Sequence, residues 1–333
     1  MLHFLTQYLW PDDAPTGIYV EQVADATAAR GVEVRLIAGS GSYRPGRRQA
    51  PRTAIRRLRH LHGSRSSLLS TAVEYLAVQR AFARYVEREV AAGDVVVVTS
   101  APPTTLSLQA LIRARGARGV YWLQDYYPQL VRGILDPPAL LTRRLERRWD
   151  RALGSWDHVV KAAANLGYHG PNSTVIRNWN TVEPGAPRPA RPGTALYSGN
   201  LGYGHDLGAF LEMCTRLRDE GYEITVRGDG PGMRRLPSWL RARELLQSTE
   251  ELVASYWGAE LHLVAGDPRL PGAVFPSKVW NSLAFGRRIR ASGFTGPLAA
   301  ELDAALAAEY RQHLPSWVEF LLRLVKERPG GAR

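Results

Sequence analysis

One cysteine, Cys214, stands among 333 residues. An internal disulfide is therefore impossible, and a cysteine-cluster metal site is excluded. Cys214 falls on the apolar face of a predicted helix, which reads as a core thiol rather than a nucleophile. Lysine is almost as scarce: Lys161, Lys278 and Lys326 are the only three, so arginine carries nearly all the positive charge. No run of about 18 apolar residues occurs, which argues against a membrane-spanning helix. The stretch Met1 to Trp10 has neither a basic start nor a small-residue cleavage site. It reads as a first strand rather than a signal peptide, and a cytoplasmic address is expected. No loop has Walker spacing, and none completes the dinucleotide GxGxxG pattern. No carboxylate cluster calls for a metal.

What is present in excess is positive charge, a formal net of +12. Residues 1–185 hold +9 of it and the remainder +3. The density peaks from Arg44 to Arg65, where Arg47, Arg48, Arg52, Arg56, Arg57 and Arg59 also lie. An apolar helical face follows, with Leu68, Leu69, Ala72, Val73 and Leu76. Basic residues beside exposed apolar ones suit docking on an anionic membrane face. A solvated loop followed by a core helix fits the same residues. The charge also permits nucleic acid, but Trp and Tyr are scattered without a recognisable RNA or DNA module, so none is expected.

Strand and helix signals alternate along the chain. Leu2–Leu5, Val32–Ala38, Val95–Thr99 and Val120–Leu123 read as strands, the third a continuous β-branched run suited to burial on both faces. Val20, Val23, Ala24 and Thr27 form a helical face closed by Gly31. The proline-rich stretch from Glu183 to Gly193 reads as a linker. A second set follows: a strand at Ala195–Ser198, a helical face of Leu207, Phe210, Leu211, Cys214 and Leu217, strands at Glu223–Arg227 and Glu260–Ala265, and a helix at Pro276–Phe285. An amphipathic helix, Trp317–Val325, closes the chain. The expectation is an α/β protein of two doubly wound parallel units, 1–182 and 194–313, with 183–193 between them and 314–333 returning to the first. Ordinary capping of the second unit is the alternative for the last helix.

Nucleotide phosphates need positive charge, close backbone approach and little bulk. In doubly wound sheets ligands bind beyond the carboxyl ends of the strands. Three loops qualify: Tyr8 to Gly17, Ser198 to His205 with Gly199, Gly202 and Gly204, and Phe275 to Lys278, where Ser277 offers a hydroxyl and Lys278 a cation.

The chain resembles glycosyltransferase family 4, retaining enzymes of the GT-B fold, and within it the bacterial cell-surface polysaccharide glycosyltransferases. The resemblance rests on the opening strand and loop with Gly17, the Ala29–Val34 stretch, Val98–Pro103, Trp122–Pro128, Val175–Trp179, Tyr197–Gly202, Gly228–Pro231 and Pro276–Arg287, in that order along most of the chain. It implies two facing Rossmann-like domains with a C-terminal crossover helix. It also implies a nucleoside-diphosphate-sugar donor, a UDP-sugar by family frequency. The acceptor would be a hydroxyl of a saccharide, a lipid-linked saccharide or a natural product. No cofactor or metal beyond the donor is expected. Gly17, Gly199, Asn200, Gly202, Gly228, Asp229, Ser277, Lys278 and Asn281 would meet the donor. Tyr8, Asp13, Asp125 and Tyr126 would meet the acceptor, although Asp12 and Asp13 also fit a solvated turn and Asp125 a cap. Asp125, His205 and Lys278 would carry the chemistry.

Several family positions are altered. Asn200 stands where an Arg is usual and His205 near a usual Lys. Ala273 and Asn281 replace the paired glutamates, Gln124 replaces a histidine, and Gly286-Arg287-Arg288 replaces Gly-Arg-Pro. Lys278 or Arg269 would then have to meet the donor in place of the lost glutamate. The implied reaction transfers the sugar with retention, the acceptor oxygen attacking from the face the diphosphate leaves so that a phosphate oxygen takes its proton. A catalytically degenerate protein that partners an active enzyme is the competing expectation.

Overall fold

The computed structural model describes residues 1–40, 49–62, 68–202, 204–243, 248–308, 310 and 312–327. The first half runs β1 (Leu2–Thr6), α1 (Pro15–Ala28), β2 (Val34–Gly39), β3 (Ile55–Leu58), α2 (Leu68–Glu89), β4 (Val95–Thr99), α3 (Gln109–Ala114), β5 (Arg118–Leu123), α4 (Tyr127–Leu135), α5 (Ala139–Gly154), β6 (His158–Lys161) and β7 (Ser173–Val175). The second runs β8 (Arg191–Ser198), α6 (Leu207–Asp219), β9 (Glu223–Arg227), β10 (Arg241–Arg243), α7 (Thr249–Gly258), β11 (Ala259–Ala265), α8 (Lys278–Ala284), β12 (Arg288–Ser292) and α9 (Gly296–Ala307), and α10 (Leu314–Lys326) follows.

Every strand pairing is parallel. The first sheet has the order β3-β2-β1-β4-β5-β6-β7 and the second β10-β9-β8-β11-β12. Alternate residues of the valine run in β4 feed opposite faces. Val96 and Val98 join Phe82 of α2 and Ile112 of α3, while Val95 and Val97 join Val20 and Val23 of α1. Helices therefore cover both faces, as a buried parallel sheet requires. β8 begins at Arg191, earlier than its apolar run suggests. Its pairing with β11 shifts register between Ala259 and Leu261, and Pro192 falls within the interrupted stretch.

The last helix crosses back. Trp317, Phe320, Leu321 and Leu324 of α10 enter the core of the first half, and the ring of Trp317 lies 4.0 Å, centroid to centroid, from that of Trp122. Each such side chain contributes about 1.5–3 kcal/mol on full burial. This clamp outweighs any single polar contact between the halves. Carboxyl-end loops of the two sheets also meet. The Tyr126 N–H donates to the Ala273 carbonyl (2.7 Å), Gly167 N–H to Gly272 (3.0 Å), and the Asn165 amide to Pro271 and Val274 (3.0 and 2.9 Å). Arg177 forms a forked pair with the buried Glu301 of α9 (2.7 and 2.9 Å). The strand order reverses between β1 and β4 in one sheet and between β8 and β11 in the other, and such switch points are where doubly wound sheets place ligands.

Candidate functional site

Beyond β8 the chain makes the tight loop of Gly199 to Gly202. Its glycines have a physical reason. Gly199 and Gly228 take φ of +137° and +146°, which L side chains rarely adopt. A Cβ on Gly228 would collide with the Gly199 carbonyl, and one on Gly199 would stand 3.1 Å from the Lys278 Nζ and closer still to its Cε. Gly230 serves the same loop, since a Cβ there would lie 2.7 Å from the Leu201 carbonyl oxygen. Gly202 and Gly204 face open space instead.

Lys278 reaches from the start of α8 into this loop. Its ammonium lies 3.4 Å from the Asn200 carbonyl and 4.9 Å from the centre of the Tyr197 ring. Among the described residues no carboxylate pairs with it. Burial lowers its pKa from 10.5 to about 8, so it is still a cation at neutral pH. A partly buried cation without a counter-charge is a site prepared for an anion. Ser277 precedes it with no capping role for its hydroxyl. The Asp229 carbonyl accepts from Leu201 N–H (2.8 Å), and its carboxylate accepts from Gly230 N–H (2.6 Å), so Asp229 shapes the loop.

His205 does not supply charge. Burial, then the nearby Lys278, lower its pKa to about 4, and Nδ1 accepts from Gly202 N–H (3.1 Å). Nδ1 also lies 3.3 Å from the Gly202 carbonyl, so the residue at the family's lysine position is a neutral imidazole held by the loop backbone. The N-terminus of α6 is also closed to phosphate. The Asp206 carboxylate caps it, accepting from Ala209 N–H (3.1 Å), and places negative charge where an anion would otherwise sit. Beside these residues lies a cleft of about 510 Å³ lined by Gly202, His205, Arg235 and Arg269. Arg235 carried no sequence signal beyond its charge. Arg269 is not a free substitute for the missing glutamate, because it forks onto the buried Asp267 (2.9 and 2.5 Å).

Local packing accounts for three further positions. Ala273, at the glutamate position, is fully buried and gives its carbonyl to Tyr126 of the first half, leaving no room for a long side chain. Asn281 accepts from Thr181 N–H (2.8 Å), so it ties α8 to the chain leaving the first half. Gly17 is explained without a phosphate: a Cβ there would collide with the Tyr8 carbonyl.

In the first half, Asp125 follows β5 at the carboxyl edge. Its backbone N–H is held by Ser100 Oγ (3.2 Å), and among the described residues no donor meets its carboxylate. Burial raises its pKa from 3.8 to about 6. Tyr127 lies close to Asp125, Tyr8, Tyr75 and Tyr121, and burial, then these neighbours, raise its hydroxyl pKa well above the ordinary value. Of the adjacent pair Tyr126 and Tyr127, the expected Tyr126 is the one already engaged by the fold. Tyr126 is buried in the core and donates its hydroxyl to Asp150 (2.7 Å). Tyr8 and Asp13 sit on the partly exposed loop after β1. Gln124, at the histidine position, is locked amide to amide with Asn178 (2.8 Å).

The basic cluster is only partly visible, since Arg44, Arg47, Arg48 and Arg65 lie outside the described residues. Arg56 pairs with Glu89 (3.1 Å), and Arg57 donates to the Gly39 carbonyl (3.2 Å), so both are used by the fold. The helix that follows is not wholly core. Leu69 is 81% exposed and Val73 54%, while Val78, Phe82 and Val86 form the buried face of α2.

No family model matches the chain. Over 214 residues, 54% of this chain, it is 28% identical to "Putative colanic acid biosynthesis glycosyl transferase WcaI" of Escherichia coli (strain K12), and the chain spans about half (52%) of that relative's length. Among solved structures it is similar to WaaG, a glycosyltransferase involved in lipopolysaccharide biosynthesis, with TM-score 0.58, 14% identity, and 98% of this chain and 91% of that one covered. It is also similar to the α,α-trehalose-phosphate synthase (UDP-forming) of Burkholderia xenovorans in complex with glucose-6-phosphate, with TM-score 0.57, 14% identity, and 98% and 92% covered. The order of the two parallel sheets, the returning last helix and these likenesses agree: the chain has the GT-B fold.

Proposed function

We propose that this chain is a retaining glycosyltransferase that moves a sugar from a nucleoside-diphosphate sugar, a UDP-sugar first, to a hydroxyl of a saccharide, lipid-linked or natural-product acceptor. The observation that carries the reading is Lys278, one of three lysines in the sequence, held among the described residues without a carboxylate partner, against a loop in which Gly199 leaves room for its side chain. As the bond from the anomeric carbon to the diphosphate breaks, negative charge grows on the leaving oxygen, and a fixed cation stabilises it. His205 adds a neutral N–H donor. With this cation and donor to meet the developing charge, a metal-independent departure is proposed. The acceptor oxygen bonds to the same face of the sugar, and its proton passes to a diphosphate oxygen. Asp125, amid Tyr8, Tyr75 and Tyr127, orients that hydroxyl.

The relative's name and the WaaG description concern surface polysaccharides, which supports a saccharide or lipid-linked acceptor. Exposed Leu69, Val73 and Leu76 on α2, and Ile134, Leu135, Leu140 and Leu141 where α4 turns into the arginine-rich α5, favour peripheral docking on an anionic membrane from the cytoplasmic side. Among the described residues no helix is long and apolar enough to cross a membrane. Flotation with anionic vesicles at low salt tests this part, and protein left at the bottom of the gradient rejects it.

The competing reading, a degenerate partner of an active enzyme, draws on the buried Ala273. Thermal melting with UDP, GDP, ADP, dTDP and their sugars separates the two, because a ligand of the folded state raises the melting temperature by mass action. A shift with one base, followed by product release from that donor, supports the enzyme. No shift with any nucleotide rejects it.

A further inference from the structure

Outside the donor loop, His60, His62 and Glu74 bring one ligand atom each to within 4.8 Å of one another, and among the described residues no other group of three does so. The three come from separate places. His60 and His62 follow the edge strand β3, and Glu74 lies on α2 with only 6% of its surface exposed.

The surroundings prepare each group as a ligand. His60 Nδ1 lies 2.9 Å from the Leu61 carbonyl oxygen. A carbonyl can only accept, so Nδ1 carries the proton and Nε2 the lone pair. That Nε2 is shielded from solvent and has no hydrogen-bond partner. Gly39 leaves the space in front of it, since a Cβ there would stand 2.7 Å from Nε2. His62 packs edge-on to His60 with ring centroids 4.7 Å apart, and its Nε2 lies 3.4 Å from Ser40 Oγ. Glu74 is oriented by Gln7, whose amide donates to Oε1 (3.1 Å). A histidine whose second nitrogen is held by a carbonyl, and a carboxylate fixed by a hydrogen bond, are the supporting contacts that metal ligands recurrently have.

We propose that His60, His62 and Glu74 bind one divalent transition-metal ion of the zinc type, clipping the segment after β3 to α2 beside the end of β1. Two imidazoles and a carboxylate suit zinc and its neighbours better than magnesium or calcium, which prefer all-oxygen shells. Zinc bonds of about 2 Å would draw the ligand atoms to roughly 3.3 Å apart in a tetrahedral shell. His62, the exposed member, can close that gap by rotating. The clip is separate from Lys278 and takes no part in diphosphate departure.

An untagged full-length chain, stripped with chelator and desalted, is titrated with Zn²⁺ by calorimetry and loaded with Co²⁺ for visible spectroscopy. The expected result is one Zn²⁺ per chain, a rise in melting temperature on binding and visible Co²⁺ absorption. His60→Ala and His62→Ala remove all three, Gln7→Ala weakens affinity by about 10–100-fold, and His169→Ala changes nothing. Because the His62 side chain is exposed, His62→Ala keeps the fold and decides the matter if His60→Ala does not. Absence of one-to-one uptake by the wild type, or equal uptake by His62→Ala, overturns the site.

Discussion

The two halves share an architecture and use their strand ends differently. In the first, polar side chains at the carboxyl edge pair with one another: Thr99 with Thr6 (2.9 Å), Gln7 with Glu74 (3.1 Å), and Gln124 with Asn178 (2.8 Å). Asp125 stands apart from these pairs. In the second, the edge is built mainly of backbone, with Gly199, Gly228 and Gly230 at positive φ around the ammonium of Lys278. The contrast matches what each side would bind. A diphosphate is the same in every nucleotide sugar and can be held by backbone and one charge, whereas acceptors differ and call for side chains. Variants in the two halves should therefore fail in different ways.

The largest effect is expected at Lys278. Lys278→Met should lower kcat/KM by about 10²–10³, the scale for removing one transition-state electrostatic contact, and abolish the UDP-induced rise in melting temperature. The free protein should become more stable. A lysine whose pKa is lowered to about 8 costs stability wherever it is charged, fully so below pH 8, and the cost disappears as pH rises from 8 toward 10.5. At pH 7 each kcal/mol recovered by methionine raises the melting temperature by roughly 2–4 °C. Wild-type affinity for UDP should fall as pH passes 8 and the ammonium is lost. Calorimetry across pH 7 to 9 would read this, and a flat profile would remove Lys278 from the diphosphate.

Asp125→Asn probes the opposite half. It should reduce kcat/KM for the acceptor by about 10–10² while leaving the UDP-induced melting shift intact. With its pKa raised to about 6, Asp125 is a carboxylate above that pH, so wild-type activity should decline as pH falls through 6. The sign for stability is opposite to that of a salt-bridged acid. The folded state holds its proton more tightly, so stability drops as pH rises from 3.8 to 6, and Asn should raise the melting temperature at pH 7. A variant that loses the UDP shift as well would erase the distinction between the halves.

Gly228→Ala tests whether the donor loop depends on backbone shape. A φ of +146° and the collision with the Gly199 carbonyl should cost about 1–3 kcal/mol of stability. The same collision displaces Gly199, whose neighbour Asn200 gives its carbonyl to Lys278, so UDP should bind more weakly as well. Unchanged nucleotide affinity in a destabilised Gly228→Ala would mean that the loop is merely structural.

Much of this was readable in the sequence because it depends on local chemistry. The valine run of β4, the proline-rich join before β8 and the glycines at positions 199 and 228 announce buried parallel strands and a special turn. Lys278 is conspicuous in a chain that otherwise uses arginine. What sequence cannot supply is the partner across space. Asn281 reads as a donor contact, and only the structure shows Thr181 bonded to it. The short edge strands β3 and β10 carry no apolar run, because an edge is covered on fewer sides. The periodicity of α2 shows an amphipathic helix, but not that Val78, Phe82 and Val86 take the core while Leu69 and Val73 are left outside.

The smallest expected effect falls on the residue where adjacent positions had to be told apart. In β-like backbone at the start of α4, neighbouring side chains point opposite ways, so Tyr126 and Tyr127 cannot both face the acceptor. The hydroxyl of Tyr126 donates to Asp150, and its ring lies in the core. Tyr126→Phe keeps the ring and removes one hydrogen bond, so it should cost about 1 kcal/mol or slightly more with kcat and KM unchanged. Tyr127→Phe should cost little stability and shift the acceptor KM instead. The reverse pattern in steady-state kinetics would return Tyr126 to the acceptor site and require the Asp125 pocket to be redrawn around it.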